Sequence, residues 1–296
     1  FNMRMDVMNG PVGYLPFLSH PDWTVRRRSG FLTPSFRIST DKGFTPAIPY
    51  YHVIDETSDL EITAHKYQYR GLATKTQYRK FWDNTTLDAN IFTGNVETYK
   101  KTRELVGAVD ARLSSKIGNK WNVDTRLRRA SQDTFMRRYK FGDGTSLNST
   151  FSATRVIGSR YYAVKASDRQ SMISSDKDVN EQTILPYVFY EKTSKGWRHN
   201  QLFRREISLL HLDNDEGYDL ARWSGSFTVS EEIKMQTGIA SYEGNISANH
   251  YSLHDKPNDA ISALGDYTFA TPSMAIDWRI PTALVGKSMT STLEPR

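Results

Sequence analysis

Carboxylates, histidines and hydroxyls are the side chains that could do chemistry here. Asp176-Lys177-Asp178-Val179-Asn180 opens like a calcium loop, but Glu181 stands where that loop needs glycine and Tyr187 where it needs the closing glutamate. Asp213-Asn214-Asp215-Glu216-Gly217 has a calcium-like composition without the completing ligands, and reads as an acidic loop tip. Glu231-Glu232 is a carboxylate pair in sequence only. Neighbours on a strand point to opposite faces, so they cannot serve one substrate as acid and base. The 7 histidines are scattered without ligand spacing, and there is no cysteine to form a thiolate site. A nucleophile elbow, a phosphate-cradling glycine loop and a zinc helix are all missing. The expectation is a protein that is not an enzyme, with no catalytic residue, no cofactor and no metal site.

The elements that must carry any other function are strands. Leu60, Ile62 and Ala64 alternate with Glu61, Thr63 and His65; Leu105, Val109, Ala111 and Leu113 share a face opposite Glu104, Asp110, Arg112 and Ser114. Trp121 to Arg129 alternates again, with Val123 and Leu127 opposite Asp124, Arg126 and Arg128. About a dozen or more such segments recur, separated by polar turns. No segment is a convincing helix; Tyr99 to Leu113 fits period two better than 3.6. The stretch through Phe141-Gly142-Asp143-Gly144 reads as a polar connection.

Composition narrows the class. Hydrophobic residues are 38% of the 296, with 16 Tyr and 14 Phe, and mean hydropathy is -0.59. Nothing approaches the roughly 18 consecutive apolar residues of a membrane helix, which leaves a barrel open, since its strands alternate. A soluble β-sandwich shares that texture. Long strands, full charges on the polar faces, and Tyr50, Tyr51, Trp82, Trp121, Trp223 and Trp278 near strand ends favour the barrel. The net charge of +6 is spread along the chain, densest at Arg26-Arg27-Arg28 and Arg126 to Arg129. It reads as a solvated surface or as contact with phosphorylated lipid; no nucleic-acid-binding pattern accompanies it. The opening FNMRMDVMNG has no basic head and apolar body, so the chain reads as an internal stretch of a longer one.

One stretch breaks the strand pattern. Gly10-Pro11 and His20-Pro21 punctuate a loop-like start, followed by two strands, roughly Gly30 to Thr40 and Gly43 to Ile54, joined by an Asp-Lys-Gly turn in which Gly43 takes positive φ. Pro34 falls in the first strand, and Pro46 and Pro49 in the second. Proline removes a ladder donor and is confined to edges, bulges and strand starts. Either these are not strands or they are a sheet edge built to pair poorly.

Tyr14-Leu15-Pro16-Phe17 with Pro21, Arg27-Arg28-Ser29-Gly30-Phe31-Leu32 with Pro34, and Pro49-Tyr50-Tyr51 closely resemble the jellyroll-to-barrel junction of the LptD family of outer-membrane lipopolysaccharide-assembly proteins. Leu293-Glu294-Pro295-Arg296 resembles a second landmark of that barrel. The resemblance implies an all-β, antiparallel up-and-down transmembrane β-barrel, partial and open in this fragment. Residues 1–23 would be the end of the periplasmic jellyroll and its hinge, with Gly10, Pro11, Tyr14, Pro16 and Pro21. Residues 24–296 would be the N-terminal part of the outer-membrane barrel. It implies translocation of lipopolysaccharide into the outer leaflet through a lateral gate, with Pro34 and Pro49 as the gate prolines near the hairpin turn. The partners implied are lipopolysaccharide, the LptE lipoprotein plug, the periplasmic LptA bridge, the barrel-assembly machinery and the outer membrane, with no nucleic acid. Pro46 has no counterpart in the family pattern. The family's cysteines lie outside the matched region, so their absence here carries no redox information. A passive porin or receptor barrel, and a soluble all-β binding domain, are the alternative readings.

Overall fold

A computed structural model describes residues 3–7, 10–15, 27–98, 100–118, 120–142, 144–173, 182–198, 200–214, 218–255, 265–285 and 290–293. β1 (Met3–Val7) and β2 (Gly10–Leu15) form a hairpin of their own. Fifteen strands then make one antiparallel sheet in which sequence neighbours are sheet neighbours: β3 (Gly30–Phe31), β4 (Ser35–Ser39), β5 (Gly43–Val53), β6 (Ser58–Tyr67), β7 (Gly71–Trp82), β8 (Thr85–Glu97), β9 (Arg103–Ile117), β10 (Trp121–Ala130), β11 (Ser146–Ile157), β12 (Arg160–Ser171), β13 (Gln182–Lys195), β14 (Gln201–Asn214), β15 (Tyr218–Met235), β16 (Gly238–Asp255) and β17 (Asp266–Arg279). β18 (Thr282–Val285) and β19 (Thr290–Leu293) pair separately. The fold is all-β, antiparallel and up-and-down, and among the described residues the sheet is open, with β3 and β4 at one edge and β17 at the other. Among the described residues helix is limited to one turn, α1 (Phe135–Arg138), within the expected polar connection. The chain divides into two compact units, the first built on β3–β10 and the second on β12–β17.

In the first unit the alternating pattern sorts side chains as expected, but the apolar set is the exposed one. Pairings Phe31↔Tyr50, Ile38↔Phe44, Tyr50↔Ile62, Ile62↔Thr76 and Thr76↔Ile91 put these residues on one face. Ile38 is 81% exposed and Leu105, on the same face, 83%. The other face carries charge arranged in pairs. Asp110 accepts from Arg126 at 3.0 Å and pairs with Arg128 at 3.2 Å. Asp124 accepts from Ser114 at 2.6 Å and Arg112 at 3.2 Å. Arg126 and Arg128 thus share the Asp110 carboxylate rather than standing as a bare basic run.

The buried core is small and sits at one end of that polar face. Phe135, Met136 and Tyr139 of the β10–β11 connection are buried against Tyr67, Phe92, Val96 and Val106. Tyr139 packs edge-on to Tyr67 at 4.9 Å and donates its hydroxyl proton to the Glu97 carbonyl at 2.6 Å. The connection read as polar from sequence because Arg, Lys and Asp outnumber its apolar residues. Its four apolar side chains, Phe135, Met136, Tyr139 and Phe141, nevertheless fold onto the sheet together.

The second unit repeats the sorting. Leu209↔Trp223, Phe227↔Ile246, Gly244↔Met274 and Tyr242↔Ile276 share one face, where Met274 is 73% and Ile276 71% exposed. Glu206, Ser208, Ser224, Ser226, Asn245, Ser247 and Asn249 share the other. Ser226 donates to Glu206 at 3.1 Å and Asn245 to Thr228 at 2.8 Å. Of the aromatic residues expected at strand ends, Tyr50, Trp82, Trp223 and Trp278 are exposed. Tyr51 turns to the polar side, where its hydroxyl joins an ionic cluster.

Turn geometry fixes the register. Gly43 has φ +70, as the Asp-Lys-Gly turn requires, and Gly71 has φ +108 where β7 begins. A Cβ at Gly71 would lie 2.2 Å from the Asn95 carbonyl oxygen. Gly71→Ala should therefore destabilise the protein by about 1–3 kcal/mol, read as a lower urea midpoint of the full-length protein refolded in detergent. Gly30→Ala, where nothing lies within 4 Å, is the control; equal midpoints for the two variants would refute the assignment.

Candidate functional site

The site is the sheet edge formed by β3 and β4. The expected single strand is interrupted: β3 pairs Gly30↔Tyr51 and Phe31↔Tyr50, and β4 resumes with Ser35↔Ala47. Residues 32–34 therefore stand opposite only Ile48 and Pro49. One extra residue on one strand is a β-bulge, which disrupts the ladder locally and bends the strand. Pro34 lies in this break and Pro49 inside β5, both towards the middle of the hairpin rather than beside its turn. Among the described residues nothing pairs with the outer side of β3 or β4.

The two prolines of β5 act in opposite directions. Main-chain groups of successive strand residues point alternately to the two neighbours. Phe44 accepts from the Gln68 amide at 3.2 Å, so the even-numbered residues face β6. Pro49 accepts from the Leu32 amide at 2.9 Å, so the odd-numbered ones face β3 and β4. The donor missing at Pro49 is thus one that Leu32 would have received. The donor missing at Pro46 belongs to the β6 side. Pro46, without a counterpart in the family pattern, leaves the edge ladder untouched.

Side chains hold the start of this edge where the ladder does not. Arg27 donates from Nε to the Tyr51 hydroxyl at 3.0 Å and from Nη1 to the Glu56 carbonyl at 3.0 Å, and pairs through Nη2 with Asp59. Asp59 is buried and also accepts from Arg79 Nε at 2.7 Å and from the Tyr51 hydroxyl at 3.1 Å. Ser29 Oγ accepts from the Val53 amide at 2.9 Å. A carboxylate between two guanidiniums is a structural clasp: its charge is spent and it offers no free base. In the adjoining turn Asp55 accepts from the Thr57 amide at 2.8 Å and from the Thr57 hydroxyl at 2.9 Å. Sequence reading passed over this cluster. The signal available was an acidic residue on the polar side of β6, opposite the Arg27-Arg28 run.

Gly10, Pro11 and Tyr14 lie in β2, paired with Val7, Asp6 and Arg4. Pro16, Pro21 and Arg26 lie outside the described residues, as do Asp176 to Asn180 and Asp215 to Gly217. Glu231 accepts from the Tyr242 hydroxyl at 2.6 Å whereas Glu232 pairs with Arg279 at 2.8 Å, so the two carboxylates engage different partners. Among the described residues no group of three His, Cys, Asp or Glu side chains could hold a metal.

The model of the family described as "LptD: LPS transport system D" matches residues 104–296. The chain belongs to the LptD family. The LPS-assembly protein LptD of Shewanella denitrificans is 38% identical over 323 residues, covering 100% of this chain and 39% of the relative. Those of Shewanella sp. strain MR-4 and Salmonella choleraesuis are 24% and 23% identical, each over 100% of this chain and 40% of the relative. The chain thus spans about 40% of the length of the curated LptD relatives it matches. A solved bacterial polysaccharide outer membrane secretin is similar over 85% of this chain and 82% of its own, at 12% identity and a TM-score of 0.35, a likeness too slight to carry an argument.

Within this LptD chain, the edge makes a specific prediction. Pro49→Ala restores an amide facing Leu32 and should stabilise the edge pairing by about 0.5–1.5 kcal/mol. The effect is read as slower amide exchange at Leu32 in the full-length protein. Pro46→Ala should slow exchange in β5 and β6 instead. Faster or unchanged exchange at Leu32 in Pro49→Ala would show that the missing donor does not weaken the edge.

Proposed function

We propose that this chain is the end of the periplasmic jellyroll (residues 1–23) and the first part of the outer-membrane barrel (residues 24–296) of a lipopolysaccharide-assembly protein. Its role is transport: lipopolysaccharide leaves sideways into the outer leaflet through an opening bounded by β3 and β4. The observation that carries this reading is the interrupted edge. Its bulge and the donor missing at Pro49 leave a ladder that separates at small cost. In lipid an unpaired amide has no water to turn to, so a sheet edge there must be paired or serve as an opening.

The two-faced sheet supports the membrane setting. Exposed Ile, Phe and Leu face one way and paired charges or hydroxyls the other, the reverse of a water-soluble domain. In the first unit the turns 54–57 and 83–84 are short, and the longest connection, 131–145, is at the opposite end. Barrels of this kind turn tightly in the periplasm and carry longer loops outside. Arg27 and the clasp around Asp59 are then at the periplasmic end, where lipid arrives, and the α1 turn is at the outer end. The partners consistent with this role are the LptE plug, the LptA bridge and the barrel-assembly machinery.

Two experiments test the reading. In the full-length protein, Pro34→Ala with Pro49→Ala should slow lipopolysaccharide delivery and raise permeability to bulky antibiotics while the barrel still assembles. Each single change should have a smaller effect, and Pro46→Ala the smallest. Delivery at the wild-type rate in a normally assembled double variant would reduce the prolines to edge protection. Separately, Ile246→Arg should cost about 2–4 kcal/mol of stability in a bilayer near its midplane, whereas Asn249→Arg on the other face should be nearly neutral. The opposite ranking would exchange the lipid-facing and inward faces.

A further inference from the structure

A cavity of about 510 Å³ lies on the polar face of the first unit, between β4 and the β10–β11 connection. Its walls carry Arg37, Lys42, Lys75 and Lys140 against a single carboxylate, Asp41. Asp41 is already engaged, by Arg70 at 2.5 Å and Lys42 at 3.2 Å. Burial pushes its carboxyl up, but the hydrogen bonds from Lys42 and Arg70 outweigh this and hold it below the ordinary range, so it stays ionised and spent. Arg37, Lys75 and Lys140 form no ion pair among the described residues. Elsewhere on the same face the arginines have their carboxylates, as Arg126 and Arg128 do at Asp110. At this cavity, by contrast, the one lining carboxylate is already engaged and three cations have none.

The cavity also has an apolar floor, formed by Phe92 and Phe141 packed at 4.8 Å. An apolar floor lowers the local dielectric, which strengthens attraction for an anion and raises the cost of three like charges left alone. Lys140, at φ +59, ends α1: its amide donates to the Arg137 carbonyl at 3.2 Å and the Phe141 amide to the Met136 carbonyl at 2.8 Å, a left-handed helix cap that leaves Lys140 on the cavity wall.

We propose that this cavity binds a phosphate monoester group, with Arg37, Lys75 and Lys140 as the contacting cations and the aromatic floor beneath. Arg37 belongs to β4, so an anion held there sits directly behind the interrupted edge, at the end where the proposed outlet opens to the outer leaflet. The identity of the ligand as a phosphorylated glycolipid rests on the proposed outlet; the anion site does not.

The test uses the full-length protein with a photo-crosslinking residue at Ser39, which lines the cavity, or at Leu32 in the bulge. The probes are bisphosphorylated lipid A, its dephosphorylated counterpart, and inorganic phosphate as competitor. Crosslinking at Ser39 should fall about tenfold or more on dephosphorylation, and equally in Arg37→Gln with Lys75→Gln and Lys140→Gln. Crosslinking at Leu32 should persist. Lys140→Gln alone, at an exposed position, serves if the triple variant does not assemble, and should give a partial loss. Competition by millimolar inorganic phosphate alone would support the anion site and identify its ligand as a free phosphate. Equal crosslinking at Ser39 by both lipids, or no change in the variants, would overturn the proposal and leave the outlet standing. Loss of all crosslinking at Leu32, with phosphate-dependent crosslinking retained at Ser39, would sink the outlet and keep the anion site.

Discussion

The constraint behind everything else is that each main-chain N–H and C=O in a sheet must find a partner. It bears hardest on a sheet whose exposed face is apolar. Water can satisfy a stray amide at the edge of a soluble sandwich; a hydrocarbon surround cannot. From β5 to β17 the neighbour-to-neighbour order meets this demand without long crossovers. The pairing of β5 with β3 and β4 departs from it at an edge, where a bulge and a proline nitrogen remove partners from one short segment; the register also shifts between β12 and β13 and between β13 and β14, but there the strands are flanked by neighbours on both sides.

Charge follows the same logic on the other face. On the polar face carboxylates are bracketed by guanidiniums, as at Asp59 and Asp110, which holds the side chains in place. Each pair is modest where solvent reaches it, and none justifies a large energy alone. Collectively they fix side-chain positions along the wall and leave few free charges. The cations around the cavity beside β4 stand out against that background.

Much of this was legible in the sequence. Period two in Leu105 to Ser114 gave the faces of β9, and the Asp-Lys-Gly turn gave the hairpin and the positive φ at Gly43. The prolines identified the weak edge because proline's effect is local and independent of tertiary context. The bulge was not legible: register depends on which residues of two strands face each other, and nothing in residues 32–34 announces a count of three against two. Nor was the packing of Phe135, Met136 and Tyr139, whose four-residue turn is too short for a helical period to show. The clasp at Asp59 escaped for a similar reason, since Arg27, Asp59 and Arg79 are brought together by the pairing of β5, β6 and β7 rather than by spacing.

The positions of clasp and bulge bear on one another. A short strand such as β3, with two paired residues, would fray if the ladder alone held it, because each net hydrogen bond contributes only about a kcal/mol. Arg27 and Ser29 supply anchors to Tyr51, Asp59 and Val53 that do not use the β3 ladder. At the far end β4 is held by five consecutive pairings to β5, from Ser35↔Ala47 to Ser39↔Gly43. The segment between, residues 32–34, has the Leu32 to Pro49 bond and little else. An edge fastened at both ends and loose in the middle can bow open without unravelling from either side. On the proposed reading, that geometry allows repeated passage of lipid with the strand returning to the same register, which a uniformly weak edge would not guarantee.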